Sequence, residues 1–547
     1  MTADWTGIQR NQLIILGAGV MQGPAIALAR EMGLETVVVD GDPHAIRAPW
    51  ADRFEPIDLK DKEGIEALAR SLQREGRLAG IMTAGTDFSA TAAWVAQQLG
   101  LPGIPYEAAL NASDKERMRR RFHAAGIPAP RFVVLQDPPG RDFSLPFAYP
   151  AVVKPVDNMG GRGCRRVDSP EDLEAAVPGA IKFSRSSRVI VEEYLDGPEF
   201  SVDALVYRGE ITICGLADRH IFFPPYFIEM GHTMPAALDA GSAALLLEAF
   251  KEGVRALGLA GKDCFGAAKG DLKLTSQGPR IGEIAARLSG GYMSGWTYPY
   301  ASGVEVTRGA IMAALGQVPS NLSPARSWTS AERAFISIPG TVRSLYGLDE
   351  AGSLPYVKDV FRRVRPGERV AFPENNVAKC GNIITAAADR ETAVSAAESA
   401  VRSVRIRLKA PDAETDAFLS RSPGASRNES GFPPDAFSLP LELADQAAVL
   451  PESVFPPASA VQTAPPGPSL IPFPALARSG LRDYQGRTVE ESLIAVRELS
   501  GFPLPLDGAS HAPSLGRGFW AALIRGGYQG ALYYIDRYVL PAESQEG

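Results

Sequence analysis

The chain has 547 residues, 45% of them hydrophobic and 22% charged, with a formal net charge of -7. This composition is typical of a globular protein of three or four domains, and its acidic balance argues against a nucleic-acid partner. The four cysteines form no CxxC pair, which favours free thiols and no zinc framework. The first residues show no basic segment followed by an apolar stretch, so we expect no membrane partner and a cytoplasmic location.

Short apolar runs alternate with amphipathic stretches in the first hundred residues. Residues 13–16, 36–39 and 80–83 have the composition of buried strands, and residues 62–73 have helical periodicity. This alternation predicts a small parallel sheet with helices on its faces. Asp87 follows the third strand, where α/β sheets bind ligands, although a helix cap explains it equally well.

The turn after the first strand resembles a dinucleotide fingerprint but is incomplete. It has Gly17 and Gly19, but Gln22 stands where the third glycine of GxGxxG would be. We therefore favour a tight strand-to-helix turn over an NAD or FAD site. Further on, Ser113 and Glu116 have the spacing of a helix capping box.

Lys154 lies in an apolar run that leads directly into the loop 157–164, which contains Gly160, Gly161 and Gly163. Glycines let backbone N–H groups approach phosphate oxygens, and a lysine adds a compact positive charge. More than a hundred residues later, Asp271 and Glu283 lie on two short strand-like runs joined by the turn 276–279, with Arg287 close behind. Together these residue types indicate magnesium-ATP chemistry.

The C-terminal part changes in composition. Residues 329–408 form another α/β unit with a helix at 390–403, whereas prolines recur from 411 to 474 and no lysine follows Lys409. We expect the proline-rich segment to be a disordered linker. Thr488 and Glu491 predict a capped helix to about residue 499, and we expect the aromatic residues near the end to pack against the body of the protein.

The order of these motifs resembles that of the ATP-grasp superfamily, in the branch of biotin carboxylase, carbamoyl-phosphate synthetase and L-amino-acid ligases. The resemblance covers about residues 11–409 and implies a multidomain α/β and α+β protein with an ATP-grasp fold. The implied domains are a Rossmann-like pre-ATP-grasp domain (1–110), a two-lobed nucleotide-binding and catalytic domain (111–325), a small β-rich C-terminal lobe (326–409), the proline-rich linker (410–478) and a helical tail of unknown role (479–547).

The resemblance also implies residue roles. Lys115 and Lys154 match lysines that contact ATP phosphates, and the glycine loop matches the flap over the triphosphate. Asp271 and Glu283 match the magnesium ligands, with manganese as an alternative ion, and Arg287 matches the arginine that holds the transferred phosphoryl group. The hinge that recognises adenine is matched by Glu192, Glu193, Tyr194 and Leu195. The acid that hydrogen-bonds the ribose hydroxyls is matched by Glu199.

The sequence departs from the family pattern at two positions. Ala285 stands where an asparagine commonly helps to hold a second metal ion, and Asp271 replaces the more usual glutamate. Either one magnesium ion is held more loosely, a water fills the vacancy, or the site binds nucleotide with weak turnover. On the acceptor side, Gly290 and Gly291 resemble a loop that lines the substrate pocket. His232 resembles a residue near the acceptor, and a histidine in a surface loop is the alternative interpretation.

The resemblance implies an ADP-forming, carbon–nitrogen-bond-forming ligase that joins a small carboxylate or amino acid to an amine through an acyl phosphate. One alternative is an ATP-dependent carboxylase that uses bicarbonate, although a tail without lysine cannot carry a biotinyl-lysine. The other is a nucleotide-binding regulatory protein with little catalysis. Relatives that dimerise through the leading domain make a homodimer a further expectation.

Overall fold

The computed structural model describes residues 11–140, 143–421, 432–440, 442–443, 445, 480–502, 504 and 516–540. The chain divides into two compact units. The first contains residues 1–221, 231–332 and 386–393, and the second contains residues 222–230, 333–385 and 394–547. The first unit contains most of the two leading predicted domains, and the second contains most of the small lobe together with the described part of the tail.

The first unit begins with a four-stranded parallel sheet of order β3-β2-β1-β4. Its strands are β1 (Gln12–Leu16), β2 (Glu35–Val39), β3 (Arg53–Glu55) and β4 (Leu78–Thr83), and its helices are α1 (Gly23–Glu31), α2 (Lys62–Arg74), α3 (Ser89–Leu99), α4 (Tyr106–Ser113) and α5 (Lys115–Ala124). These elements confirm the predicted strands and helix. Strand β1 is completely buried because helices cover both faces of the sheet.

Gln22 explains why the glycine turn departs from the dinucleotide pattern. Its side-chain oxygen accepts a hydrogen bond from the backbone N–H of Gly19 at 2.9 Å, and its amide nitrogen donates to the carbonyl of Ala84. Gly17 has a φ of +98°, and a Cβ there would meet the Gln22 side chain at 3.0 Å. The glutamine thus fills the turn and ties it to the end of β4.

Two further sheets follow in the first unit. A small antiparallel sheet of order β5-β8-β6-β7 contains β5 (Phe132–Leu135), β6 (Ala151–Pro155), β7 (Arg165–Val167) and β8 (Val189–Glu193), with helix α6 (Pro170–Phe183) on one face. A larger, eight-stranded sheet includes the strand order β13-β12-β9-β10-β11-β14. Its elements are β9 (Glu199–Tyr207), β10 (Glu210–Phe222), β11 (Ile228–Met234), α7 (Ala240–Ala256), β12 (Phe265–Thr275), β13 (Gly278–Ala285), α8 (Tyr298–Ser302), α9 (Val306–Ala314) and β14 (Thr329–Phe335).

The second unit contains a small sheet and the helices of the tail. Strands β15 (Gly340–Tyr346), β17 (Arg369–Val370) and β19 (Arg405–Leu408) form a sheet of order β17-β15-β19, and β16 (Val357–Arg362) pairs with β18 (Gly381–Ala387). The helices are α10 (Leu348–Ser353), α11 (Arg390–Ser403), α12 (Ala413–Leu419), α13 (Val489–Ser500) and α14 (Gly516–Tyr538), the last interrupted by non-helical backbone at Gly527.

The tail packs against the lobe of its own unit, as expected for its aromatic residues. Phe519, Trp520 and Tyr528 are buried in one apolar cluster. The side-chain amide of Gln529 donates to the Ser337 hydroxyl at 2.8 Å, and the hydroxyl of Tyr528 accepts from the backbone N–H of Ile406 at 2.7 Å. The tail therefore completes the core of the second unit.

The structure corrects two local predictions. Asp114, and not Ser113, caps α5, since its side chain accepts from the backbone N–H of Arg117 at 3.0 Å. Ser113 ends α4 and bonds back to the Ala109 carbonyl. The segment expected to be a linker begins with helix α12, and most of its remaining residues lie outside the described part of the chain. The predicted capping box of Thr488 is confirmed.

The four cysteines are free thiols, as predicted. Among the described residues, no helix combines the length and the apolar character that a bilayer crossing requires.

Candidate active site

One face of the larger sheet in the first unit carries polar and charged side chains. Asp271 on β12 lies directly opposite Glu283 on β13 and Ser201 on β9. Directly opposed residues point to the same face, so the two predicted metal ligands are neighbours. The other face is apolar, where Leu272 and Ile284 pack with Phe250 of α7. The alternation of β12 thus separates a charged surface from a core.

Lys115 joins the first turn of α5 to this charged face. Its ammonium lies 3.3 Å from a carboxylate oxygen of Glu283 and donates to the Asn158 carbonyl at 2.7 Å. Burial acts to lower the pKa of Lys115, but Glu283 and Asp87 raise it above its ordinary value. The ammonium is therefore charged at neutral pH and links the sheet to the glycine loop.

Glu283 is surrounded by cations. Burial acts to raise its pKa, but nearby positive side chains overcome that effect and lower the pKa of Glu283 to about 2. The cations responsible are Lys115, Lys269, Lys154 and Arg287. This carboxylate is ionised at neutral pH and is suited to bind a cation.

Asp271 is held by three partners. The Ser201 hydroxyl donates to it at 3.2 Å, an Arg219 nitrogen lies 3.1 Å away, and the ammonium of Lys269 contacts its second oxygen. Arg219 also pairs with Glu199, the predicted ribose acid, and Lys273 lies 3.9 Å from Glu199.

Lys154 is oriented by a buried ion-pair network. Its ammonium lies 2.6 Å from one oxygen of Glu192, whose other oxygen lies 2.7 Å from Arg119 of α5. Burial opposes ionisation of Glu192, but Arg119 and Lys154 hold its pKa below the ordinary value. Both carboxylate oxygens are thus engaged by cations, and Glu192 contributes to the site by positioning Lys154 from the neighbouring strand.

The other residues predicted to form the adenine hinge have different contacts. Glu193 pairs with Arg131 at 2.9 Å near the surface. The ring of Tyr194 lies below the Arg166 guanidinium at 5.0 Å, and the carbonyl of Leu195 accepts from Lys273 at 3.1 Å.

The glycine loop has the backbone that its composition predicts. Gly160, Gly161 and Gly163 have φ values of +71°, +74° and +69°. A Cβ on Gly163 would meet side-chain atoms of Phe183 at 3.0 Å and Pro155 at 3.1 Å. The side-chain amide of Asn158 donates to the Phe183 carbonyl at 2.6 Å, which fixes the start of the loop.

Arg287 follows β13 and points toward this loop. One terminal nitrogen donates to the Leu288 carbonyl at 2.9 Å and the other lies 4.0 Å from the sulfur of Met159. Its Nε is buried, and no described residue accepts a hydrogen bond from it. Arg287 therefore retains a hydrogen-bond donor beside the glycine loop.

The leading domain contributes to the same region. Ala84 forms a parallel β-bridge with Leu288. Gly85 lies so close to Gly290 that a Cβ added to Gly85 would be 3.3 Å from the Cα of Gly290. Asp87 lies 3.4 Å from Arg185, and burial raises its pKa against the opposing effects of Lys115, Arg287 and Arg185. The predicted residues Asp87, Gly290 and Gly291 thus lie on loops that converge near Arg287.

His232 differs from its predicted setting. It lies on β11 with an exposed fraction of 1%, and its Nδ1 is 3.0 Å from a carboxylate oxygen of Glu332. The surface-loop interpretation is therefore wrong, because the side chain belongs to the interior of the sheet. Its burial and its contact with Glu332 are suited to fixing the strand.

The structure adds residues that sequence reasoning missed. Arg119 holds Glu192, Lys269 contacts Asp271, and Asp203 accepts hydrogen bonds from the backbone and hydroxyl of Ser289. Burial raises the pKa of Asp203 to about 6 despite those hydrogen bonds. Two of these residues had a local signal, since Arg119 follows Lys115 by one helical turn and Lys269 shares the strand face of Asp271.

Asp271 and Glu283 fit a magnesium site in donor chemistry. The described residues contain no group of three or more His, Cys, Asp or Glu side chains that could hold a metal ion. Two adjacent carboxylates are nevertheless oxygen ligands of the kind magnesium prefers, and phosphate oxygens and waters commonly supply the rest. The fit therefore depends on a bound nucleotide.

Three protein families match successive parts of the chain. An ATP-grasp N-terminal domain matches residues 26–103, an ATP-grasp domain matches residues 147–293, and an L-amino acid ligase C-terminal domain 2 matches residues 334–409. Most of the last match falls in the second unit, and residues 386–393 of it belong to the first.

Known proteins resemble the chain over the same region. An uncharacterized protein of Sinorhizobium fredii is 26% identical over 74% of this chain and 84% of its own length. Carnosine synthase 1 of Gallus gallus is 27% identical over 63% of this chain, which spans 40% of that protein. The crystal structure of an L-amino acid ligase from Bacillus licheniformis aligns with a TM-score of 0.64 and 23% identity, covering 73% of this chain and 99% of that one.

Proposed function

Because the chain belongs to the ATP-grasp superfamily, we propose that it is an ADP-forming ligase joining a small carboxylate, such as an amino acid, to an amine. The observation that carries this proposal is the set of charges around Glu283. Lys115 contacts that carboxylate, Asp271 lies opposite it, and Lys154 and Arg287 are close enough to lower its pKa.

The reaction explains the need for these charges. A carboxylate is a poor electrophile, so its oxygen first attacks the γ-phosphorus of ATP, and ADP leaves. The amine then attacks the acyl carbon, inorganic phosphate leaves and the nitrogen loses a proton. Lys154 and Arg287 would offset the negative charge on the phosphoryl oxygens during the first step. Lys115 and the loop of Gly160, Gly161 and Gly163 would hold the polyphosphate.

Asp271 and Glu283 would hold magnesium or manganese, which offsets phosphate charge when bound. The backbone of Glu193, Tyr194 and Leu195 would face the adenine, and Glu199 the ribose. In this assignment Glu192 is a positioning residue, because both of its oxygens already bind cations.

The acceptor side is proposed at the convergence of Asp87, Gly290 and Gly291. Asp203 supports this assignment because its carboxylate accepts a hydrogen bond of 2.9 Å from the backbone N–H of Ser289, the residue just before Gly290. An amino acid as one substrate is supported by the L-amino acid ligase domain matched at residues 334–409. The solved L-amino acid ligase, at 23% identity, supports the fold.

The test is release of ADP and phosphate from magnesium-ATP with a panel of amino acids, other small carboxylates, amines and bicarbonate. Lys154→Met and Arg287→Met remove one charge each, and Lys262→Met serves as the control because Lys262 is exposed. We expect release that requires both a carboxylate and an amine, a loss of about 100-fold or more in the two site variants, and no change in the control.

Other outcomes would identify the alternatives. Release driven by bicarbonate without a carboxylate substrate would indicate a carboxylase. Nucleotide binding without release under any condition would indicate a regulatory protein. Equal activity in Lys154→Met and Lys262→Met would contradict the assigned role of Lys154.

A further inference from the structure

Lys269 occupies a position next to the proposed metal ligands. It precedes Asp271 by two residues on β12, so both side chains point to the same face of the sheet. Across the neighbouring strands, Lys269 lies opposite Ala285 on β13 and opposite Asp203 on β9. It is therefore surrounded by the carboxylates of this face.

The small side chain of Ala285 leaves room beside Glu283. A directly opposed pair has its Cβ atoms about 5 Å apart, so a large residue at 285 would compete with the aliphatic part of Lys269 for that space. The ammonium of Lys269 contacts Asp271, and the two side chains are only 12% and 13% exposed. A cation so enclosed acts through little solvent and is weakly screened.

The two proposed metal ligands thus each have an ammonium partner from the chain. Lys269 contacts Asp271, whereas Lys115 lies 3.3 Å from Glu283. A divalent ion that used both carboxylates would have to compete with these two ammonium groups and with the Arg219 guanidinium, 3.1 Å from Asp271. Lys115 also bonds to the Asn158 carbonyl and Arg219 also pairs with Glu199, whereas the ion pair of Lys269 is with Asp271.

We propose that Lys269 is a resident cation of the phosphoryl-transfer site, which remains on Asp271 and limits the bound nucleotide to one divalent ion. The inference rests on the proposed nucleotide site. A covalently held ammonium supplies a positive charge that neither dissociates nor needs to be recruited, and Ala285 on the facing strand makes space for it. Lys269 and Ala285 thus act as a pair in setting the metal requirement.

The test is the number and affinity of Mn²⁺ ions bound with a non-hydrolysable ATP analogue, measured on the full chain by calorimetry and by electron paramagnetic resonance. We expect one Mn²⁺ per nucleotide in the natural protein. Lys269→Met removes one of the competing charges, while Arg219 and Lys115 stay in place, and should tighten Mn²⁺ binding by about 10-fold or more. Combining it with Ala285→Asn, which adds an oxygen ligand, should produce a second bound Mn²⁺. The exposed Lys262→Met variant should match the natural protein.

The stoichiometry of the natural protein decides the proposal even if a variant fails to fold. Two Mn²⁺ ions in the natural protein, or unchanged Mn²⁺ affinity in Lys269→Met, would overturn the role of Lys269. A merely structural lysine would alter stability without altering this count. One Mn²⁺ in the natural protein together with tighter Mn²⁺ binding in Lys269→Met, but without ligase activity, would leave Lys269 supported and refute the proposed reaction, whereas two Mn²⁺ with ligase activity would do the reverse. Failure to bind nucleotide at all would overturn both.

Discussion

Replacing Glu192 with glutamine tests whether a buried ion-pair network positions Lys154. The side chains of Glu192, Arg119 and Lys154 are 4%, 1% and 16% exposed. Breaking a buried pair by removing one partner costs roughly 3–5 kcal/mol, because the remaining charge is left uncompensated. Arg119 retains its bond to the Gly282 carbonyl, and Lys154 can turn toward solvent. We therefore expect a loss of about 3 kcal/mol, at the lower end of that range.

The assay is thermal unfolding together with nucleotide affinity. The first unit spans about 330 residues, so with an unfolding entropy of about 2.1 cal/mol/K per residue a loss of about 3 kcal/mol lowers its melting temperature by roughly 4 °C. Glu193→Gln is a matched control in the next residue, since its partner Arg131 is 60% exposed and such surface pairs contribute about 1 kcal/mol or less. ATP affinity should also fall in Glu192→Gln, because Lys154 loses the group that orients it.

The pH dependence follows from the lowered pKa of Glu192. Its contribution is complete above the ordinary carboxyl pKa of 4.5 and is lost as the pH falls through the lower folded value. The stability difference between the natural protein and Glu192→Gln should therefore persist at neutral pH and shrink in acid. If Glu192→Gln and Glu193→Gln differed by less than about 1 kcal/mol at pH 7, the assigned network would be wrong.

Three further changes test other parts of the structure. Asp203→Asn should remove a pH-dependent cost, because burial raises the Asp203 pKa from 3.8 to about 6. The natural protein should therefore lose stability as the pH rises from about 3.8 to about 6, and the variant should not. Parallel profiles of melting temperature against pH would contradict this. Gly163→Ala should weaken ATP binding in a titration, since φ is +69° and the space is filled, whereas Gly140→Ala, with nothing within 4 Å, should not. Asp536→Asn should destabilise the second unit by about 3 kcal/mol in denaturant, because Asp536 is 2% exposed and pairs with Arg407; a change below 1 kcal/mol would mean that the tail contributes little there.

The elements that could be predicted depend on local physics. The strands around residues 13–16 and 36–39 are apolar runs between helical stretches, and the structure has β1 and β2 there. The Thr488 capping box was predicted correctly because both of its partners lie within four residues. The same rule failed at Ser113, because the neighbouring Asp114 has the extended backbone and the acceptor that a cap requires.

The site was predictable in its residue types but not in its contacts. Lys154 and the glycine loop form one continuous motif, and the strand alternation around Asp271 puts Lys269 on the same face. In contrast, nothing near Glu192 in the sequence indicated that its side chain would bind Arg119, 73 residues earlier in the chain. The alternative interpretation of His232 as a surface-loop residue failed, because it lies in a buried strand beside Glu332, 100 residues away.

The sequence by itself determined the order of strands and helices, the conformational freedom of the glycine loop and the chemical character of the site. These properties depend on side-chain periodicity and on interactions within a few residues. Only the tertiary structure decided that Lys269 faces Ala285, that Lys115 reaches Glu283 and that Glu192 positions Lys154. Strand register and helix packing bring those residues together across long separations, and the energy of each charge depends on the burial and partners that it finds there.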